Sequence, residues 1–464
     1  MNTFHKHLGT GLAALALTAL VACGDDGSYG SGGSDGSFGD SGGDQDPGVG
    51  VGQGGAQDFG QFRQILEDGG IPGPEVLDDV GFFNEHKIEM PAADCGENVC
   101  LHGLFGRMGN MISGSDCNIV LLGMNTPINP DELERPPLNL AIAIDTSGSM
   151  KGDPMDYTVE GLVRMLDALE PGDYISLVAF SDVATVVADH LAHDDPALDQ
   201  AIASLYASGS TNVYDGLRSA YDLVGEHAAP ELQNRVILLS DGVATAGITN
   251  DDKALNLATS WADAGVGLTT IGVGTDFDVE LMRDLSETGA GAFYFLENPA
   301  AVQEVFIEEV TSFLVPLAEE LHIDIDINNA DYRLRGIYGT KLFEFSGAGA
   351  DIDIPTVQIA HRTSPSDNDN GRRGGGGAIV VELLEASSPS GDGSSVGQLD
   401  LRYRDPATQQ LVEQSVPINS PLTFDSPDFY FESASAEKGF VTLNVFVGFH
   451  MAASRAAVGD GRGA

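Results

Sequence analysis

The sequence predicts an α/β domain built on a parallel sheet, followed by an antiparallel β-sandwich-like domain, and three observations carry that expectation. Residues 138–144 form an apolar run with little alternation that stops at Asp145, the pattern of a central parallel strand covered on both faces. Between residues 138 and 316, short apolar strands alternate with helical stretches, as a parallel sheet with crossover helices requires. Beyond Pro316 the apolar period falls from about 3.6 to two. Leu321, Ile323, Ile325 and Ile327 alternate with His322, Asp324, Asp326 and Asn328, which describes a half-buried antiparallel strand.

Taken in order, the chain starts with His5, Lys6 and His7 ahead of an apolar run over residues 8–22. That is a secretory signal, too short for a stable membrane span. It ends in Leu20-Val21-Ala22-Cys23, which resembles a bacterial lipobox and implies cleavage before Cys23 and lipidation of that residue; an ordinary signal peptide with an incidental cysteine is the alternative. Several acyl chains anchor far more firmly than one, so the expected address is the bacterial cell envelope, lipid-anchored. Gly24 points to the outer membrane by resemblance to lipoprotein sorting rules, while Asp25 and Asp26 leave the membrane open. Residues 23–84 are expected to be a lipid-anchored flexible linker. Up to about residue 60 they are Gly, Ser and Asp with almost no apolar content, a disordered tether with a reach of about 35 Å.

Residues 85–137 form a Cys-containing, β-rich segment, with a strand expected at 118–124 and prolines at 127, 130, 136 and 137 marking an extended connection. With Cys23 set aside, Cys95, Cys100 and Cys117 cannot all pair internally in an exported chain. One disulfide plus one free or intermolecular thiol results, with Cys95 and Cys100 slightly favoured by nearness.

Within residues 138–316, strands are expected at 138–144, 174–180, 184–188, 236–239, 268–273 and 292–295. Helices are expected at 155–169, 196–206, 213–226, 251–263, 279–287 and 299–314. In open α/β sheets the ligand crevice lies beyond the carboxyl ends of the strands. There Asp145, Ser147 and Ser149 place three oxygen side chains within one turn. Thr211 sits in the loop before an amphipathic helix, and Asp241 ends the apolar strand that runs to Ser240.

At these residues the chain resembles the von Willebrand factor A (VWA) domain family and its metal-ion-dependent adhesion site (MIDAS), whose five-residue set maps onto Asp145, Ser147, Ser149, Thr211 and Asp241 without a gap. The resemblance implies a doubly wound, Rossmann-like sheet with one antiparallel edge. It also implies that Ser147, Ser149 and Thr211 contact an ion directly or through water, that Asp145 and Asp241 contact it or hold its waters, and that one position stays open for a partner's carboxylate. Three hydroxyls and two carboxylates suit Mg2+ (or Mn2+/Ca2+) and discriminate against soft metals.

Residues 317–428 are expected to hold further strands at 333–338, 351–358, 378–384, 396–403 and 410–417, with Gly-, Ser-, Pro- and Asp-rich loops at 364–377 and 387–395. Residues 429–464 read as a buried terminal helix and tail, too punctuated for a membrane span. A sandwich directly after the A domain resembles bacterial VWA-domain lipoproteins.

The formal charge of −48, with 70 Asp plus Glu against 22 Lys plus Arg, argues strongly against nucleic acid or anionic headgroups as partners. No Gly-x-Ser-x-Gly elbow, His-Glu-x-x-His or Walker-type loop occurs, so the expected role is not an enzyme. The stretch 189–195, which holds Asp189, His190, His193, Asp194 and Asp195, has spacing that could hold a metal but reads better as a solvated turn. Asp324 with Asp326 and Asp351 with Asp353 read as the wet face of strands rather than as calcium ligands. The expected function is a lipid-anchored, cation-dependent module that binds a protein partner offering Asp or Glu. The alternatives are an accessory subunit of an envelope enzyme or assembly complex, and a structural envelope lipoprotein.

Overall fold

The computed structural model describes residues 49–459 apart from 53–54, 57–59, 87, 115, 130–135, 230, 242, 275–277, 297–315, 361–376 and 425–428. The signal segment, Cys23 and the helix expected at 299–314 lie outside the described residues.

In chain order the N-terminal elements are β1 (Val49–Gly52), β2 (Gly55–Ala56), α1 (Gly60–Glu67), α2 (Asp79–Glu85), β3 (Cys100–Gly109) and β4 (Asp116–Thr126). The central unit follows with β5 (Leu138–Asp145), α3 (Asp153–Asp167), β6 (Tyr174–Phe180), β7 (Ala184–Ala192), α4 (Pro196–Ala203), α5 (Val213–His227), β8 (Gln233–Ser240), α6 (Asp251–Ala262), β9 (Gly267–Val273), α7 (Val279–Thr288) and β10 (Ala292–Leu296). The remainder is β11 (Pro316–Ile327), β12 (Tyr332–Tyr338), β13 (Phe343–Ser346), β14 (Gly349–Ala360), β15 (Ala378–Glu385), β16 (Ser395–Arg404), β17 (Leu411–Asn419), β18 (Tyr430–Phe431) and α8 (Ala434–Ala457).

The central sheet has the order β2-β10-β9-β8-β5-β6-β7 and is parallel except for β7, which pairs antiparallel with β6 at one edge. Every residue of β5 is buried, as its unbroken apolar run requires of a strand covered on both faces. One face packs Leu140, Ile142 and Ile144 with Leu162 and Met165 of α3 and Leu198 of α4. The other packs Ala141 and Ala143 with Leu217, Ala220 and Val224 of α5 and Leu285 of α7. This is the doubly wound arrangement. Helix starts are set by local chemistry: the side chains of Asp195, Asn212, Asn250 and Asp278 each accept a backbone N–H in the first turn of the helix that follows. Pro154 opens α3, where a missing N–H costs nothing.

The second sheet is antiparallel and runs β12-β15-β4-β1-β14-β11-β16-β17, with β3 beside β4, β18 beside β3 and β13 beside β14. It folds over on itself. A Cβ built on Gly103 of β3 would come 2.7 Å from Leu399 of β16, so two layers meet there, as in a sandwich. The alternation of β11 is used as the sequence reads it: Ile323, Ile325 and Ile327 enter the core between the layers, while Asp324 and Asp326 are exposed. Helix α8 covers the outer face of β3, β4 and β15 through Phe440, Leu443 and Phe446, which pack with Phe82 and Phe83 of α2.

Three expectations need correction. Residues 23–84 are not all linker, because the chain is folded from Val49 onward: Val51, fully buried, fits β1 between β4 and β14, and Phe62, Leu77, Phe82 and Phe83 anchor the following turns in the core under α8. Residues 85–137 are not a separate β segment, since β3 and β4 share the sheet of β11–β17. The central α/β unit is thus inserted between strands of one sheet, a long-range pairing that local patterning cannot report. The arithmetic of three cysteines also fails. Cys95 and Cys100 form a disulfide with Cα atoms 5.6 Å apart, and buried Cys117 is disulfide-bonded as well, so no described cysteine is a free thiol.

Candidate functional site

The crevice forms where β5 and β8, adjacent in the parallel sheet, both end. Asp145 is the last residue of β5 and is fully buried. Its Oδ1 accepts the Ser147 backbone N–H at 2.8 Å, and its Oδ2 accepts the Ser240 hydroxyl at 2.6 Å, so the carboxylate is held from both its own loop and the neighbouring strand. Burial pushes the Asp145 carboxyl above the usual aspartate range, and the bonds from Ser240 and Ser147 only partly oppose that. Among the described residues, the groups that shift it include no cation.

From Asp145 the oxygen cluster continues outward. The hydroxyls of Ser147 and Ser149 lie 2.9 Å apart, and the Ser149 hydroxyl donates to Asp241 Oδ1 at 2.9 Å. Asp241 follows β8 directly and is buried, as is Ser147, whereas Ser149 is exposed at the mouth. Met150, fully buried beneath, pins the short turn that carries the two serines.

Thr211 comes from a third stretch of chain. The Gly148 N–H donates to the Gly209 carbonyl at 3.0 Å and the Ser208 N–H to the Thr146 carbonyl at 2.7 Å, which ties the loop before α5 to the turn after β5. Gly209 has φ +89°, and a Cβ there would meet Asp182 Oδ2 at 2.9 Å, so glycine is required at that close approach. On the other side the Thr211 N–H donates to Thr245 Oγ1 at 3.0 Å, and the Thr211 carbonyl accepts the N–H groups of Thr245 and Ala246. The turn between β6 and β7 is held in turn by Asp215 of α5, which accepts the Ala184 N–H at 2.8 Å. Arg218, hydrogen-bonded to Asp215, holds that carboxyl below its usual range.

Asp145, Ser147, Ser149 and Asp241 are thus joined by hydrogen bonds at one point, and backbone bonds bring Thr211 alongside. All donors at this point are oxygens, the set a hard divalent cation prefers. Ser240 and Thr245 were not singled out from the sequence. Ser240 had a signal, since it closes the apolar strand one residue before Asp241. Thr245 had none, because its role depends on two loops meeting.

The other stretches resolve differently. Asp189 and His190 lie within β7, where His190 stacks on Tyr174 and on His227 with ring centroids 4.3 and 3.8 Å away, while Asp195 caps α4. On the antiparallel sheet, His322 Nδ1 lies 2.7 Å from Asp353 Oδ1, and Asp324 is paired in register with Asp351 and Asp400. Among the described residues no three His, Cys, Asp or Glu side chains converge in one group. Cys95 and Cys100 bridge the start of β3, in the antiparallel part of the chain.

The von Willebrand factor type A domain family model matches residues 139–308. An uncharacterised protein of Synechocystis is 25% identical over 350 residues, covering 72% of this chain and 77% of that protein. Inter-alpha-trypsin inhibitor heavy chain H3 of Rattus norvegicus is 28% identical over 202 residues; the match covers 41% of this chain and 23% of the heavy chain, so only a fraction of that protein's length is shared. Among solved structures, a von Willebrand factor type A protein from Catenulispora acidiphila aligns with a TM-score of 0.50 at 15% identity, over 79% of this chain and 87% of that one, a likeness of fold that reaches past the matched domain into the antiparallel sheet. The chain therefore carries a von Willebrand factor type A domain, spanning residues 139–308 between strands of a second, antiparallel sheet.

Proposed function

We propose that the crevice beyond β5 and β8 binds one divalent cation, Mg2+ or Mn2+ or Ca2+, through Asp145, Ser147, Ser149, Thr211 and Asp241, and that the cation binds a carboxylate of a protein partner. The observation that carries this reading is the convergence of two carboxylates and the serine hydroxyls at the carboxyl ends of two parallel strands, around a buried Asp145 that no cationic side chain among the described residues compensates. A bound cation supplies a positive charge that keeps Asp145 ionised and an electrophilic point for an incoming oxygen ligand. The protein's residues supply orientation: Ser240 and the Ser147 N–H fix the Asp145 carboxylate, and Thr245 fixes the Thr211 loop. Few carboxylates in the donor set leave the ion hungry for one more from outside. Type A domains mediate protein–protein interactions, and binding rather than catalysis is the role assigned here. In this reading the chain is a lipoprotein of the bacterial envelope, attached through Cys23, which requires the Cys23 sulfur to be free of any disulfide, one with Cys117 included.

Titration with Mn2+, followed by loss of the free-ion electron paramagnetic resonance signal, tests the site. The protein should bind one Mn2+ that excess Mg2+ displaces, and Asp145→Ala and Thr211→Ala should each weaken binding by about tenfold or more, the scale expected when a group in a metal's shell is lost. Mn2+ binding that persists unchanged in Asp145→Ala would sink the proposal.

A further inference from the structure

The loops that frame the crevice differ from the rest of this molecule. In a chain of formal charge −48, the stretches 146–152, 181–183, 204–212 and 243–250 contain Lys151 and Asp182 as their only charged residues. Asp182 is exposed, and its carboxylate accepts the Ser210 N–H at 3.1 Å and packs against Gly209. Beside these two charges and several small polar residues, the stretches expose four large apolar side chains: Val183 at 64%, Tyr206 at 74%, Val243 at 51% and Ile248 at 37%.

These four residues lie on loops whose backbones are tied to the loops that carry the oxygen cluster. Val183 ends the turn that packs on Gly209, Tyr206 lies two residues before Ser208, and Val243 lies two beyond Asp241. Ile248 follows Gly247, which packs on Asn212 beside Thr211. Large apolar groups scattered singly over a surface need no explanation, but apolar groups gathered on three loops around one polar point mark an interaction site.

We propose that this rim selects a partner whose metal-binding Asp or Glu is flanked by apolar or aromatic side chains, rather than by the polar and charged residues that usually surround a surface carboxylate. The inference rests on the cation-binding reading of the crevice and adds the chemistry of the partner. The physical reasoning is one of complementarity. A sparsely charged rim, with one Lys and one Asp, repels the approaching carboxylate less than the acidic body of the protein does, and the exposed faces of Val183, Tyr206, Val243 and Ile248 gain by being covered only if the partner brings apolar area to them. Lys151, exposed on the same turn as Ser149, adds attraction for the carboxylate as it arrives.

The test compares two immobilised synthetic peptides that differ only in the neighbours of a central Glu, Gly-Leu-Phe-Glu-Leu-Gly and Gly-Ser-Lys-Glu-Ser-Gly, by surface plasmon resonance in Mg2+. The apolar peptide should bind about tenfold more tightly, equivalent to about 1.4 kcal/mol. The double variant Val243→Ser with Ile248→Ser, altered only at exposed positions, should bring it down to the level of the polar one. Equal binding of the two peptides, preference for the lysine-flanked one, or no Mg2+-dependent binding of either by protein that takes up Mn2+ would overturn the inference and leave the cation site standing. Failure to bind Mn2+ at all would remove both.

Discussion

Asp145 sits where two demands oppose each other, and the substitution Asp145→Asn separates them. The carboxylate is fully buried, raised in pKa by that burial, and faces two donors, the Ser147 N–H at 2.8 Å and the Ser240 hydroxyl at 2.6 Å. An asparagine keeps an oxygen for the Ser147 N–H and offers an N–H2 to the Ser240 oxygen, so both contacts survive without a buried charge. For the metal-free protein the sign follows directly: a carboxyl raised in the folded state opposes folding once ionised at neutral pH, and the neutral amide does not. Metal-free Asp145→Asn should therefore unfold at the same temperature as the parent or higher. With the cation present the order reverses. A ligand at about 100 times its Kd stabilises the folded state by about 2.7 kcal/mol, which for a domain of this size raises Tm by about 5 to 10 °C. Differential scanning calorimetry with chelator and with Mg2+ should show that shift in the parent and lose it in Asp145→Asn. Two results would refute the reasoning: a metal-free variant melting several degrees below the parent, which would make the carboxylate a structural cap, or a Mg2+ shift that survives the substitution.

Two further outcomes follow from other parts of the chain. Burial, reinforced by the charge of Asp78, pushes the Glu287 carboxyl of α7 up to about 8 from its ordinary 4.5; a raised carboxyl contributes stability that is complete below 4.5 and is lost as pH rises through 8, so urea denaturation at about pH 6 and about pH 9 should show the parent losing stability and Glu287→Gln losing less. A parent whose stability is flat over that range would contradict it. For the N-terminus, intact mass and membrane fractionation should find a lipid on Cys23 and release of the Cys23→Ser variant into the soluble fraction; a thioether lipid and a disulfide cannot share one sulfur, so mature protein whose Cys23 is recovered in a disulfide would end the anchor reading.

Much of the central domain could be read along the chain because its causes are local. An apolar run ended by Asp145, a second ended by Ser240 and Asp241, and capping side chains at Asp195, Asn212, Asn250 and Asp278 each act within a few residues, and periodicity reports them. The alternation of β11 was equally plain, since one wet and one dry face leave a period of two. The pairing of distant strands was not legible. Gly50 and Val51 look like tether residues, yet β1 bonds to β4 on one side and β14 on the other, and β3 and β4 join strands that lie beyond the whole inserted domain. Such partners are chosen by burial summed over the sheet, for which no short window carries a signal. The crevice divides along the same line. The sequence by itself determined which oxygens stand at the strand ends, because strand termini are set locally. Only the tertiary structure decided that Ser240 orients Asp145, that Thr245 holds the Thr211 loop, and that the loops of Val183, Tyr206, Val243 and Ile248 leave those side chains exposed, because each depends on loops that meet only after the parallel strands have been laid side by side.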